Sequence, residues 1–452
     1  MDDDKLIPVL LWNLSKSIRI KVNEHRDKGA LLRTQTLYIK TQVERFEYKE
    51  GGSSYQTKQA NVEKDEWHWR DQLNFVENVI KQLPQYLDCV KEISNRYKLT
   101  EQESEYRLSR FVQAIAHESI EQPDDEFVID KVTTFVSDLD EGPTDWKISV
   151  DLHGVWLKEE KYELADGILL RRPNPNDLEV ERPFDSIAFH YSFTPFSIPS
   201  SILELTIRCK SPNEAQSEVE VILDVLRLFR LGSVDYYQYR ISPKSILRFG
   251  GTFTRNSLTN GPYQYAFQLA DIAPFNLFIG KIKPLLPRDP GFADPAAEID
   301  PLIVSFQRYK EALLALVAIE SRITSAITCL ESLYLKAEER MELAHRLGQR
   351  VAALLRLVGF RPLEVYTCVN QAYDIRSTYI HGSRVDKERQ QSAQKLCEKV
   401  MEYARQSLLI FLQLKKRVDK DDLISKLDHS LLDEKAFQKT KELISTDILI
   451  PN

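Results

Sequence analysis

Cysteine is sparse and scattered: Cys89, Cys209, Cys329, Cys368 and Cys397 are odd in number, and no two form a Cys-x-x-Cys pair. Neither a disulfide framework nor a thiolate zinc site is indicated, so they read as small buried apolar residues. Long apolar runs are lacking too, since none approaches the ~18 residues that a bilayer span requires. The start, Met1-Asp2-Asp3-Asp4-Lys5, is acidic where a secretory leader would be basic. The expectation is a cytoplasmic protein with no membrane partner. No internal repeat is present, and 42% hydrophobic residues interleaved with charges of both signs describe a folded chain. At 452 residues it should form two or three domains.

The net charge of −7 argues against a nucleic-acid partner only if it is evenly spread. Residues 301–417 hold 19 Lys and Arg against 12 Asp and Glu, an excess of +7, which leaves −14 for the remainder. The sign expected of a module that meets RNA is therefore confined to the C-terminal part.

Residues 1–140 read as a mainly helical region. Gly51-Gly52-Ser53-Ser54-Tyr55-Gln56 is a flexible loop by composition, Gln72–Tyr97 has helical apolar spacing, and a further helix is expected over Glu101–Ile120. From Asp145 the period becomes two. Trp146, Ile148, Val150 and Leu152 alternate with polar residues, as do Ile187, Phe189, Tyr191 and Phe193, and then Leu203, Leu205 and Ile207. With one helix at Glu214–Leu231 and further strand-forming sequence at Tyr236–Ile241, residues 141–300 read as α+β with antiparallel strands. Pro284–Pro301 is the linker candidate. From Pro301 five helices are expected: one marked by Leu302, Phe306, Tyr309, Leu313 and Leu316, one by Ile323, Ile327, Leu330 and Tyr334, and one over about Glu339–Val358 closed by Gly359. The fourth opens at Pro362 and ends at His381-Gly382, and the fifth spans about Asp386–Leu414. Short connections favour an antiparallel bundle over 301–417, with a helical extension over 418–452. The fold class is thus α+β multidomain with an all-α C-terminal bundle.

Chemistry concentrates in Tyr373-Asp374-Ile375-Arg376-Ser377-Thr378-Tyr379-Ile380-His381-Gly382. The core stripe of this helix runs Val365, Val369, Ala372, Arg376, Ile380, so a guanidinium stands where an apolar side chain is expected and needs a partner or a ligand. Ser377 and His381, four apart, share one face. His381 ends the helix, where the negative end of its dipole favours positive charge. Arg followed within a few residues by His also occurs at Arg19/His25, Arg110/His117 and Arg340/His345, but only the pair at 376 and 381 closes a long amphipathic helix at a glycine.

Cys329-Leu330-Glu331-Ser332-Leu333, Gln349-Arg350-Val351-Ala352 and Arg376-Ser377-x-x-x-His381-Gly382, in this order over about residues 301–417, resemble the HEPN superfamily, in particular its Apea-like branch. The resemblance implies a homodimer with a composite site that cleaves RNA without metal or other cofactor, the ribose 2′-hydroxyl attacking and a cyclic phosphate remaining. It further implies that His381 handles the proton and Arg376 stabilises the phosphorane. Ser377 would orient His381 or donate to phosphate, Glu331 would hold Arg376, and Tyr379 would lend support. Toxins of this superfamily that are silenced by nucleotide transfer carry a tyrosine two residues after the histidine; here that residue is Ser383, so this regulation is not carried over. A toxin or anti-phage defence role follows by analogy, with residues 1–300 taking an activating ligand or partner. Two blander readings stand beside it: Arg376 as a structural ion pair to Glu331, and the bundle as a non-catalytic module that binds RNA or a protein. Trp67-His68-Trp69-Arg70 reads as core aromatics rather than a base-stacking platform, His117-Glu118 lacks the second histidine of a zinc-protease helix, and Lys415-Lys416-Arg417 reads as a solvated helix end.

Overall fold

The computed structural model describes residues 6–26, 28, 31–49, 52–121, 124–183, 199–254, 261–287, 300–315, 317–382, 390–445 and 448–451. The first element, α1 (Leu6–Arg26), buries Leu11, Leu14, Ile18 and Val22 at three- and four-residue spacing, one apolar stripe facing inward. A long hairpin follows, β1 (Leu31–Lys49) paired antiparallel with β2 (Gly52–Trp69). This corrects the loop expected over residues 51–56, because Gly52–Gln56 belong to β2. The helical pattern over 72–97 is also divided. Short α2 (Gln72–Phe75) runs into a π-turn over Val76–Ile80, and α3 (Pro84–Tyr97) restarts at Pro84, which cannot continue a helix but suits a first turn. Next, α4 (Glu101–Glu118) opens on a capping box in which Thr100 and Glu103 satisfy each other's backbone, and α5 (Asp125–Leu139) closes a core that includes Tyr86, Ile93, Phe111, Ile115 and Phe135.

The second core begins at Trp146. Strands β3 (Thr144–His153), β4 (Val155–Leu157), β5 (Lys161–Glu163) and β6 (Leu169–Arg171) are followed by the four-residue α6 (Pro175–Leu178), β7 (Val180–Pro183), β8 (Ser201–Cys209), α7 (Pro212–Phe229), β9 (Asp235–Pro243), β10 (Gly251–Thr254), β11 (Tyr265–Phe267) and α8 (Ile272–Ile282). Six strands form one sheet in the order β10-β9-β3-β8-β6-β5, with β3 antiparallel to both β8 and β9. The period-two stripe on β3 faces α7, which is apolar on most of its circumference because it is covered twice, by the sheet and by the helices that follow. The strand read over Ile187–Phe193 lies outside the described residues.

The hairpin straps the two cores together. β1 pairs antiparallel with β7, Tyr38 opposite Pro183, and beyond this Tyr48 donates its hydroxyl to the Ser200 carbonyl (2.8 Å) while accepting from the Leu157 amide (2.9 Å).

From Pro301 the chain is helical: α9 (Pro301–Leu314), α10 (Ile319–Tyr334), α11 (Leu343–Arg356), α12 (Pro362–Ile380), α13 (Gln390–Leu414), α14 (Lys420–Ser430) and α15 (Glu434–Ser445). Proline opens α9 and α12, and Gly359 and Gly382 take the left-handed conformation (φ 99° and 87°) that lets a chain turn off a helix end. The third of these helices starts at Leu343 rather than Glu339, after Glu342 in a left-handed conformation (φ 54°). Leu316 and the expected start of the fifth helix at Asp386 lie outside the described residues. This bundle has no core of its own. Buried Tyr309 on α9 donates to the Arg227 carbonyl on α7 (3.1 Å), and buried Arg405 on α13 donates to the last carbonyls of α7, Leu228 and Phe229 (2.7 and 3.1 Å), satisfying groups that a helix end leaves open. One apolar core therefore runs from Trp146 to Ile444, so the sheet and the bundle support each other. No helix among the described residues is long and apolar enough to cross a membrane.

Candidate active site

On α12 the inward stripe is fully buried at Val365, Val369 and Ala372, then leaves the core: the Arg376 side chain is 23% exposed and Ile380 56% exposed. Ile380 is thus not the core residue that the spacing predicts. The helix outruns the neighbour that covers its first three turns, and Arg376 sits where cover ends.

There the guanidinium turns to α10. Arg376 Nη2 lies 3.0 Å from Glu331 Oε2, and the Arg376 carbon centre lies 5.3 Å from the ring centroid of Tyr373, one turn earlier. The Tyr373 hydroxyl favours the ionised form of the same carboxylate. Arg376 Nε is buried with no hydrogen-bond partner among the described residues. Burial pushes the Glu331 carboxyl up, against the pull of Arg376 and of the Tyr373 hydroxyl, and burial followed by the Glu331 charge pushes the Tyr373 phenol up. The partner that the sequence suggested for Arg376 is the one it has. Of its five N–H donors, Nε–H is the buried one that no described residue satisfies.

His381 is the C-cap of α12. Its amide donates to the Ser377 carbonyl (3.2 Å) while the imidazole is exposed, and Gly382 follows in the left-handed turn. Ser377 and Tyr379 are half-buried. Among the described residues no side-chain hydrogen bond joins His381 to Ser377 or to Arg376, so the chain assembles the Arg376–Glu331–Tyr373 cluster but leaves His381 beside it. Ser383 lies outside the described residues.

Of the other Arg/His pairs, Arg19 bridges Asp125 (2.9 Å) and Arg110 stacks over Phe249 (4.2 Å). The third lies closer to the site than its sequence position suggests. His345 Nδ1 is 3.0 Å from the Tyr366 hydroxyl, and Arg340, His345 and Tyr373 line one open depression of about 630 Å³. Trp69 packs on Phe75 of α2 with ring centroids 4.5 Å apart, whereas Trp67 is 41% exposed with Arg26 of α1 over its ring; both lie on β2. His117 and Glu118 are exposed at the end of α4, and Lys415, at the exposed end of α13, bridges Asp300.

Read from sequence alone, Arg350 has no role beyond its place in a motif. It is 3% exposed and spends its guanidinium on two carboxylates, Glu339 (2.7 Å from both terminal nitrogens) and Asp428 (2.8 Å from Nε and Nη2), with the Tyr334 carbonyl as a further acceptor (2.9 Å). It clamps α11 to α14 and to the turn after α10. No spacing could have revealed this, because Asp428 is 78 residues away.

The chain matches no family model, no curated protein and no solved structure.

Proposed function

We propose that the helical bundle is a HEPN module that cleaves RNA as a homodimer, with Arg376 and His381 of two facing α12 helices forming the composite site. The observation that carries the reading is Arg376 itself: a guanidinium at the margin of the core, braced by Glu331 and Tyr373, with a donor unspent and an exposed histidine just over one turn further along the same helix. In this reaction His381 moves the proton of the attacking or leaving oxygen, Arg376 stabilises the charge that builds on phosphorus, and Ser377 donates to a phosphate oxygen or orients the histidine. Glu331 and Tyr373 act through Arg376 by fixing its plane. A toxin or anti-phage defence role is the biological setting that accords with such an activity.

A second reading has one observation in its favour. The Arg376–Glu331 ion pair is complete within one chain, as it would be in a non-catalytic module that holds RNA or a protein partner. Recombinant protein incubated with RNA in EDTA separates the two. The ribonuclease reading expects cleavage that Arg376→Ala and His381→Ala each remove while the dimer persists. Equal cleavage by the parent and His381→Ala, with contaminating nuclease excluded, refutes the catalytic role.

A further inference from the structure

The segment after β9 crosses from the sheet to the N-terminal helical core. Asp138, buried near the end of α5, accepts there from the Ser245 hydroxyl (2.8 Å) and from the Ile246 and Leu247 amides (2.7 and 3.1 Å), and both of these apolar side chains pack against the helical core. Arg248 then donates to the Gly142 carbonyl (2.6 Å). Beside this crossing lies an open cavity of about 790 Å³, walled by one face of α4 and by Lys210 and Arg248 from the sheet region. That volume is of ligand size, and ligand cavities concentrate where two packed units meet.

Four cations line the cavity, Arg107, Arg110, Lys210 and Arg248, and so do three carboxylates. The acids are committed. Asp138 holds the three donors just named, Glu103 takes the amide and hydroxyl of Thr100 in the capping box (2.9 and 2.8 Å), and Glu141 stands 3.6 Å from Arg107. Two of the cations are not. Among the described residues neither Arg110 nor the Lys210 ammonium meets a carboxylate within ion-pair distance, and Glu214, the nearest acid in sequence to Lys210, accepts from its amide instead (3.1 Å). Arg110 lays its guanidinium over the ring of Phe249, 4.2 Å from the centroid, which leaves the in-plane N–H donors pointing away from the ring. Tyr106 stands exposed one turn earlier on the same face of α4 and lines the same cavity. A charged helix face is ordinarily only solvated. Here the charges border a cavity together with an exposed ring, the combination that holds a flat aromatic group and an anion at once.

We infer that this cavity binds a mononucleotide, with the base stacked on Tyr106 and the phosphate on the Arg110 donors and the Lys210 ammonium. The excess of a single positive charge over the carboxylates of the wall suits one phosphate better than a polyphosphate chain. Glu141 opposes the ligand's charge and occupies Arg107, and so limits affinity. The inference does not depend on the ribonuclease reading, since the cavity contains none of the residues assigned to cleavage.

The test is calorimetric titration of the full chain with AMP, with adenosine and inorganic phosphate as the two partial probes and sodium chloride holding ionic strength constant. AMP should bind more tightly than either part alone. Tyr106→Ala, at an exposed position, should weaken AMP binding about tenfold, the worth of one stacked base, and leave the Tm of the free protein unchanged. Arg110→Gln should remove the advantage of AMP over adenosine. Glu141→Gln, on an exposed side chain, should tighten AMP binding, and it keeps the idea testable should Arg110→Gln fail to fold. A parent protein that does not bind AMP, or binds it no better than phosphate, overturns the assignment, as does a Tyr106→Ala variant that binds AMP as the parent does. Short single-stranded RNA that binds through Tyr106 while AMP does not would make this a strand-binding surface and overturn it equally.

Discussion

Arg376 and Glu331 stand on two helices 45 residues apart in sequence and meet at 3.0 Å where α12 leaves the core. With side chains 23% and 17% exposed, the pair is neither a surface bridge nor a sealed one, so a double-mutant cycle should give a coupling of about 1–2 kcal/mol, above the exposed-pair range and below that of a fully buried ion pair. Glu331→Gln separates bracing from chemistry. It should lower cleavage less than Arg376→Ala does, because a neutral amide still accepts a hydrogen bond from the guanidinium. Identical losses in the two variants would mean that the carboxylate itself takes part in the reaction.

Assembly is the next expectation. Ile380 is 56% exposed immediately before His381, and the proposed site needs a second α12 across from it. Ile380→Glu should shift a micromolar dimer toward monomer in sedimentation and reduce cleavage, with little change in Tm of the monomer, since the position contributes nothing to the core of one chain. A parent protein that sediments as a monomer at that concentration argues against the composite site.

His345→Ala is the internal control. The imidazole at 345 is committed to Tyr366, so its removal should leave RNA cleavage within about a factor of two while costing less than ~1 kcal/mol of stability. A loss comparable to that of His381→Ala would shift the proton-transfer role to the depression shared by Arg340, His345 and Tyr373.

The helices from 301 to 380 were legible from an apolar stripe at period 3.6, reinforced by proline at the first turn of α9 and α12 and by glycine just past α11 and α12. The hairpin over residues 31–69 was not. β7 joins it only at Tyr38–Thr41, and few of its side chains are fully buried, so no alternating apolar stripe marks it, and Gly51-Gly52 reads equally as a loop. That Arg376 needs a partner could be inferred from a charge on an apolar stripe, whereas Glu331 as that partner came with the family resemblance. The Arg350 clamp could not, because it depends on carboxylates that other elements bring, Glu339 from the turn after α10 and Asp428 from α14.

Acid stability should fall in two separate windows, and each has a named residue. Burial holds the His153 imidazole down to about 4 from its ordinary 6.5, so folding favours the neutral ring. Its contribution is fully present above pH 6.5 and is lost as pH falls toward 4, by about 2 kcal/mol after allowing for partial exposure. His153→Gln should flatten this upper part of the stability curve, measured as urea midpoint against pH. The lower window belongs to Glu339. Its hydrogen bonds to Arg350 hold the carboxyl at about 2, below the ordinary 4.5, so its stabilisation is present above pH 4.5 and disappears between there and about pH 2. Glu339→Gln should remove that acid step and cost about 2 kcal/mol at neutral pH, less than the 3–5 kcal/mol of a buried pair broken outright, because Asp428 still neutralises Arg350 from the other side. Replacing both, Glu339→Gln with Asp428→Asn, strands the guanidinium and should cost more than the two single changes summed. Strict additivity across that pair would show that Arg350 does not depend on either carboxylate for its place between α11 and α14.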